Sequence, residues 1–109
     1  MNNKVRLLAN LLDDKNAHDI EIFEVGEAHP MFDNIIVASV EVERNLEAII
    51  NEIKKQEKEG NLEVKQYDIN NKEWILLDLY DVLVHVFIKE SREYYDIDAI
   101  LDEYVKRNE

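Results

Sequence analysis

Asp78 and His85 stand on either side of a polar break between two apolar runs, residues 74–79 and 82–88. A His oriented by a carboxylate is a familiar general-base pair, so register decides what these two can do. If Tyr80 and Asp81 form a two-residue turn, Asp78 faces Leu83, and Asp78 and His85 become diagonal neighbours on one face. With a three-residue loop, Asp78 faces Val82 and His85 falls on the other face. In either register no Ser or Cys nucleophile lies nearby in sequence. The structural alternative is that Asp78 and Asp81 accept hydrogen bonds from turn amides, a common use of Asp in tight loops, while His85 hydrogen-bonds within or beside the sheet.

Other chemistry has less to work with. His18, His29 and His85 are not at helical i, i+4 spacing and no cysteine joins them, so no metal-ligand pattern is present and no metal is expected. Gly26 and Gly60 are the only glycines. No Gly-rich phosphate loop can be built from them, and no cofactor is expected. Trp74 carries an indole donor that needs a partner when buried. It can serve the core or, with Leu79, Tyr80, Arg92 and Tyr95, a protein-binding face, because Trp, Tyr and Arg are common interface anchors. Arg92 alternatively pairs with an acidic neighbour. Tyr80 is an uncomfortable turn residue if its φ is positive, at a cost of about 1 kcal/mol or somewhat more, but an aromatic at a hairpin tip is also a natural contact.

The elements that must position these residues are legible. Val5, Leu8, Leu11 and Leu12 recur at helical spacing behind a cap at Asn2 or Asn3, predicting a helix over 3–14. Lys4 and Arg6 beside Leu7 superficially resemble a targeting segment, but Asp13 and Asp14 follow, and a folded helix is expected. A strand over 20–25 and a turn through Gly26 and Pro30 come next. Residues 34–39 form a continuous apolar run, expected to be covered on both faces. Val42, Leu46, Ile49, Ile50 and Ile53 make a helical stripe, with Ser39 available as amino-terminal cap and Gly60 as left-handed carboxy-terminal cap. Strands are expected over 62–69, 74–79 and 82–88. A final helical region holds Arg92, Tyr95, Ile97, Ile100, Leu101, Tyr104 and Val105, with a restart at Asp96 or Asp98, and residues 106–109 are expected to fray. This order is α/β (α+β): one domain over 1–109, with a mixed sheet of about five strands flanked by helices.

Charge narrows the partners. The 109 residues include 25 acidic and 13 basic side chains, a formal net charge of −12, which opposes the counterion release that drives binding to free nucleic acid. A partner with a basic surface is favoured, although acidity also simply keeps a small protein soluble. The longest apolar runs are far below the roughly 18 to 20 residues of a membrane span. No membrane association is expected, and the absence of cysteine is consistent with a reducing, cytoplasmic setting.

Trp74, Asp78, Asp81, His85, Arg92 and Tyr95 together resemble the signature of the ribosomal silencing factor (Iojap-like) family. There a Trp opens a strand, an Asp-x-x-Asp turn follows, a His lies on the returning strand, and an Arg-x-x-Tyr begins a closing helix. Upstream, Asp19-Ile20 and residues 33–39 match the family's first two strands, so the resemblance spans residues 15–101. The chain departs from the pattern in four places. Residues 40–43 replace a Gly-Thr-Ser-type loop, Tyr80 replaces a turn Gly, Tyr67-Asp68 replaces Glu-Gly, and Leu101 stands near a late Trp. It is identified as a divergent member.

The resemblance implies a nucleotidyltransferase-like fold without the Gly-Ser and paired-Asp signature of that catalysis, and hence no enzyme. It also implies binding to large-subunit ribosomal protein fourteen, steric block of subunit association, repression of translation and a homodimer of the free protein. Trp74, Asp78, Leu79, Tyr80, Asp81, His85, Arg92 and Tyr95 are then the expected partner-binding set. A degenerate nucleotide binder and a general acidic protein-binding adaptor are the alternatives.

Overall fold

The computed structural model describes residues 2–106. Its elements run α1 (Asn3–Asp14), β1 (His18–Glu24), β2 (Asn34–Val40), α2 (Glu43–Lys58), β3 (Gln66–Asp68), β4 (Trp74–Asp78), β5 (Val82–Ile88), α3 (Lys89–Tyr95) and α4 (Ile97–Lys106). The five strands make one sheet in the order β1-β2-β5-β4-β3. Only β2 and β5 pair in parallel; the other neighbours are antiparallel. The expected mixed sheet is therefore present. Chain leaving β2 passes through α2, β3 and β4 before β5 returns beside it, so α2 leads to the far edge of the sheet rather than to an adjacent strand.

Local chemistry accounts for most boundaries. Asn2 caps α1, its side-chain oxygen accepting the Val5 N–H at 2.8 Å, which satisfies one of the unpaired amides at a helix start. At the end of α2, Gly60 has φ +83, its N–H reaches the Glu57 carbonyl at 3.1 Å, and the Asn61 N–H reaches Gln56 at 2.9 Å. That pair of bonds is a Schellman ending, and it needs the left-handed conformation glycine adopts without strain. Asp96, at φ 48, separates α3 from α4, so the restart expected at Asp96 or Asp98 falls at the former.

Three expectations are corrected. The third strand covers only Gln66–Asp68 rather than residues 62–69, because Leu62 is drawn into the core beneath α2. Ser39 does not cap α2: it lies inside β2, and Val42 occupies the cap position, with its N–H reaching the Asn45 side chain at 3.4 Å. The first strand begins earlier, at His18, and carries an irregularity between His18 and Glu21. Residues 107–109, part of the segment expected to fray, lie outside the described residues.

Strand alternation sends side chains to two different environments. On one face Ile36, Ala38, Val40, Ile75, Leu77, Val82, Val84 and Val86 meet Val5, Leu8 and Leu12 of α1 and Leu46, Ile49 and Ile53 of α2 in the main core. On the other, Phe23, Ile35, Val37 and Phe87 meet Ile97, Leu101 and Val105 of α4, with Trp74 and Leu83 at the margin. Helix α4 lies over the β1-β2-β5 half, and among the described residues no helix packs over the β3-β4 half of this second face. The central strand β2 is buried on both sides, as its unbroken apolar run predicts.

Candidate protein-binding face

The β4–β5 hairpin adopts the two-residue register. Asp78 pairs with Leu83, Leu76 with His85 and Trp74 with Phe87, so Trp74, Leu76, Asp78, Leu83, His85 and Phe87 share the second face. Asp78 and His85 are thus diagonal neighbours, but each is engaged elsewhere. The Asp78 carboxylate accepts the Tyr80 N–H at 3.0 Å, closing the turn as expected. His85 accepts the Trp74 indole N–H at its Nδ1 at 3.1 Å, which leaves the ring proton on Nε2.

His85 is only 5% exposed. Burial pushes its pKa down to about 4, with the Asp98 carboxylate pulling weakly the other way. At neutral pH it is an uncharged acceptor locked to Trp74, a structural arrangement rather than a poised base. Trp74 also stacks on Phe87, with ring centroids 4.8 Å apart, and meets Tyr95 at 4.9 Å. Tyr94 then meets Tyr95 edge-on at 5.1 Å and is 82% exposed. An aromatic series therefore runs from the buried sheet centre to the surface.

Arg92 is the second support. Its Nε and Nη2 donate to both oxygens of Asp98, at 3.1 and 2.8 Å, and its Nη1 donates to the Ser39 hydroxyl at 2.9 Å and to the backbone carbonyl of Asp19. One planar guanidinium thereby ties α3 and α4 to the carboxy-terminal end of β2 and to the irregular start of β1, where Asp19 has φ 49. The fork geometry of Arg allows this, and Lys could not replace it. The expectation that Arg92 pairs with an acidic neighbour holds, and the pair is largely buried rather than loosely solvated.

At the hairpin tip Tyr80 has φ +72 and is 52% exposed. Asp81 departs from its expected role: its carboxylate accepts from the Lys4 ammonium of α1, not from a turn amide. Leu79 is corrected as well. It is fully buried in the main core, and its contribution to the tip is a carbonyl that accepts from Lys4 at 3.1 Å. Of the eight candidate residues, Leu79 and His85 lie inside as supports, Trp74, Asp78, Asp81 and Arg92 are half-buried, and Tyr80 and Tyr95 are exposed.

Between these supports the uncovered β3-β4 half forms a depression of about 160 Å³, lined by Gln66, Asp68, Leu76, Asp78 and Leu83. Leu76 and Leu83 are half-buried, Leu83 at the margin of the core beneath α4. Their alternation with fully buried neighbours is not legible in the unbroken apolar runs 74–77 and 82–84, nor is the strand order that brings Gln66 and Asp68 beside them. Lys4 gave no signal, because its partner Asp81 lies 77 residues away. The remaining histidines have local roles. His18 bridges Asp19 and Glu41 at 3.1 and 2.9 Å, its pKa raised chiefly by the hydrogen bond to Asp19. His29 accepts the Met31 and Phe32 amides. Among the described residues no group of three or more His, Asp or Glu side chains is placed to hold a metal ion, and no helix is long and apolar enough to cross a membrane.

This is the architecture of a mixed-sheet α/β protein with one half-open face, and solved structures share it. A crystal structure of a Chromobacterium violaceum protein superposes with a TM-score of 0.83 at 28% identity, covering 94% of this chain and 88% of that one. A Bacillus halodurans structure gives 0.77 at 31% identity, covering 89% and 91%. The family model described as "ribosomal silencing factor during starvation" matches residues 1–108. The chain is 33% identical to the ribosomal silencing factor RsfS of Bacillus subtilis over 103 residues, 92% of this chain and 87% of that protein. It is 31% identical to the Halalkalibacterium halodurans protein of the same name, covering 88% and 83%. The chain belongs to the ribosomal silencing factor family.

Proposed function

We propose that this protein represses translation without catalysis, by seating its half-open sheet face on ribosomal protein fourteen of the large ribosomal subunit and so obstructing the small subunit. The observation that carries this reading is the face itself: an acidic and apolar surface with Asp68, Leu76, Asp78 and Leu83 at its centre. It is framed along β4 by Tyr95 on Trp74 at one end and Tyr80 at the other, a span of roughly 15 Å or more at strand rise. A net charge of −12 favours a basic protein surface and disfavours naked RNA. Half-buried Leu flanked by Tyr and carboxylates is the composition of an interface core with a polar rim. Buried and bonded to Trp74, His85 serves this face as a structural support.

The test is subunit reassociation. Purified large subunits are incubated with the protein before small subunits are added, and particles are resolved by sedimentation. Joining should fall in proportion to the protein added, and Leu76→Asp should restore it. Unimpaired joining at saturating protein would refute the proposal.

A further inference from the structure

The tip of the β4–β5 hairpin is restrained more heavily than a two-residue turn requires. Tyr80 occupies a positive φ of 72, a conformation that persists in non-glycine residues only where the surroundings over-determine it. Four sets of contacts do so here. The Tyr80 N–H is bound by Asp78 at 3.0 Å, and the Asp81 N–H turns back to the Leu79 carbonyl at 3.0 Å. The Asp81 carbonyl accepts the amides of Asp33 and Asn34, at 2.8 and 3.3 Å. Finally Lys4, from the first turn of α1, donates to both the Leu79 carbonyl and the Asp81 carboxylate.

The core has little use for this effort, since Tyr80 remains more than half exposed. Holding a long Lys side chain in one geometry costs rotamer freedom, and a partly exposed ion pair returns little stability. What the clamp does achieve is a fixed direction for an aromatic ring. A pre-oriented Tyr enters a partner's pocket without the ordering cost a mobile tip would carry, and Tyr is among the residue types that anchor interfaces.

We infer that Lys4 is a positioning residue for partner binding: it clamps the Leu79–Asp81 turn so that Tyr80 is presented, ring outward, to an apolar pocket on a basic protein surface. The inference rests on the large-subunit binding proposed above and adds a residue outside the expected partner-binding set. Lys4 touches the turn and needs no contact with the partner.

A double-mutant cycle with isolated large ribosomal subunits tests it, using Lys4→Met, Tyr80→Ala and the double variant, with amide hydrogen exchange of each free protein alongside. Tyr80→Ala and Lys4→Met should each weaken binding by about tenfold, the double variant no further than Tyr80→Ala alone. In free Lys4→Met the Asp81 amide should exchange about tenfold faster, with the thermal midpoint nearly unchanged. Wild-type binding by Lys4→Met, additive losses in the double variant, or unaltered exchange at Asp81 would each overturn the role of Lys4 while leaving the binding face intact. A wild-type protein that does not bind large subunits would instead remove the functional reading, and this inference with it.

Discussion

The two faces of the sheet are built from alternate residues of the same strands, yet they do different work. On the α1/α2 face both positions of β4, Ile75 and Leu77, and the following Leu79 are fully buried. On the other face the intervening positions Trp74, Leu76 and Asp78 are half-exposed. The first face holds the fold together. The second is closed over β1, β2 and β5 by α4 and left open over β3 and β4, where carboxylates mix with leucines. Polar groups there are held by specific partners rather than by burial alone: Trp74 by His85, Arg92 by Asp98, and Tyr80 by Asp78. Within one sheet, stability and presentation are thus separated by the period of two along a strand.

That separation predicts unequal consequences for neighbouring substitutions. Leu77→Ala on the closed face should cost about 3 kcal/mol, read from denaturant midpoints. Leu76→Ala, one residue away, should cost less than about 1 kcal/mol while weakening large-subunit binding. Similar stability losses at both positions would break the contrast between the faces.

Acid should probe the seam between them through His85. Folded His85 resists protonation down to about pH 4, whereas in the unfolded chain it titrates near its ordinary value of 6.5. Between these values the unfolded chain binds the extra proton, so stability is retained above about pH 6.5 and lost as pH falls toward 4. The loss approaches roughly 3 kcal/mol at most. Replacing His85 with Gln should flatten this part of the stability profile, and a wild-type profile that is flat between pH 6.5 and 4 would count against a buried neutral His.

Arg92→Ala should destabilise by about 2 kcal/mol, because it removes charge-assisted bonds and strands Asp98. Arg92→Lys should recover little of that, since an ammonium cannot reach Asp98 bidentately along with Ser39 and the Asp19 carbonyl. The smallest effect belongs to the tip. Tyr80→Gly relieves the positive φ and should leave stability within about 1 kcal/mol of wild type, while large-subunit binding falls. Preserved binding in Tyr80→Gly would confine the contact to the depression around Leu76 and Leu83 and overturn the role inferred for Lys4.

Much of this is legible in the amino-acid sequence. The helix stripes of α1 and α2, the cap at Asn2, the Schellman glycine at Gly60 and the doubly covered β2 follow from local patterns that survive folding unchanged. The family resemblance rests on Trp74, Asp78, Asp81, His85, Arg92 and Tyr95; Trp74, His85 and Tyr95 meet, whereas Asp81 lies at the hairpin tip beside Asn34 and Arg92 at the other end of β2 beside Ser39. Their division of labour was hidden. Leu79 and His85 look like surface candidates in a hairpin sequence, but burial depends on which helices pack over which strands. Ser39 looks like a helix cap, but α2 starts three residues later and the hydroxyl serves Arg92. Leu62 and Val64 read as strand, but contact with the core beneath α2 outweighs their β propensity.

Periodicity, capping and charge are carried by residues close together in the chain, so the sequence by itself determined the elements, the mixed sheet and an acidic surface suited to a basic partner. The tertiary structure alone decided the hairpin register, the uncovered β3-β4 half, the neutral His85 and the reach of Lys4 to Asp81. Each of these depends on groups brought together from distant positions, and such contacts leave no local pattern in the chain.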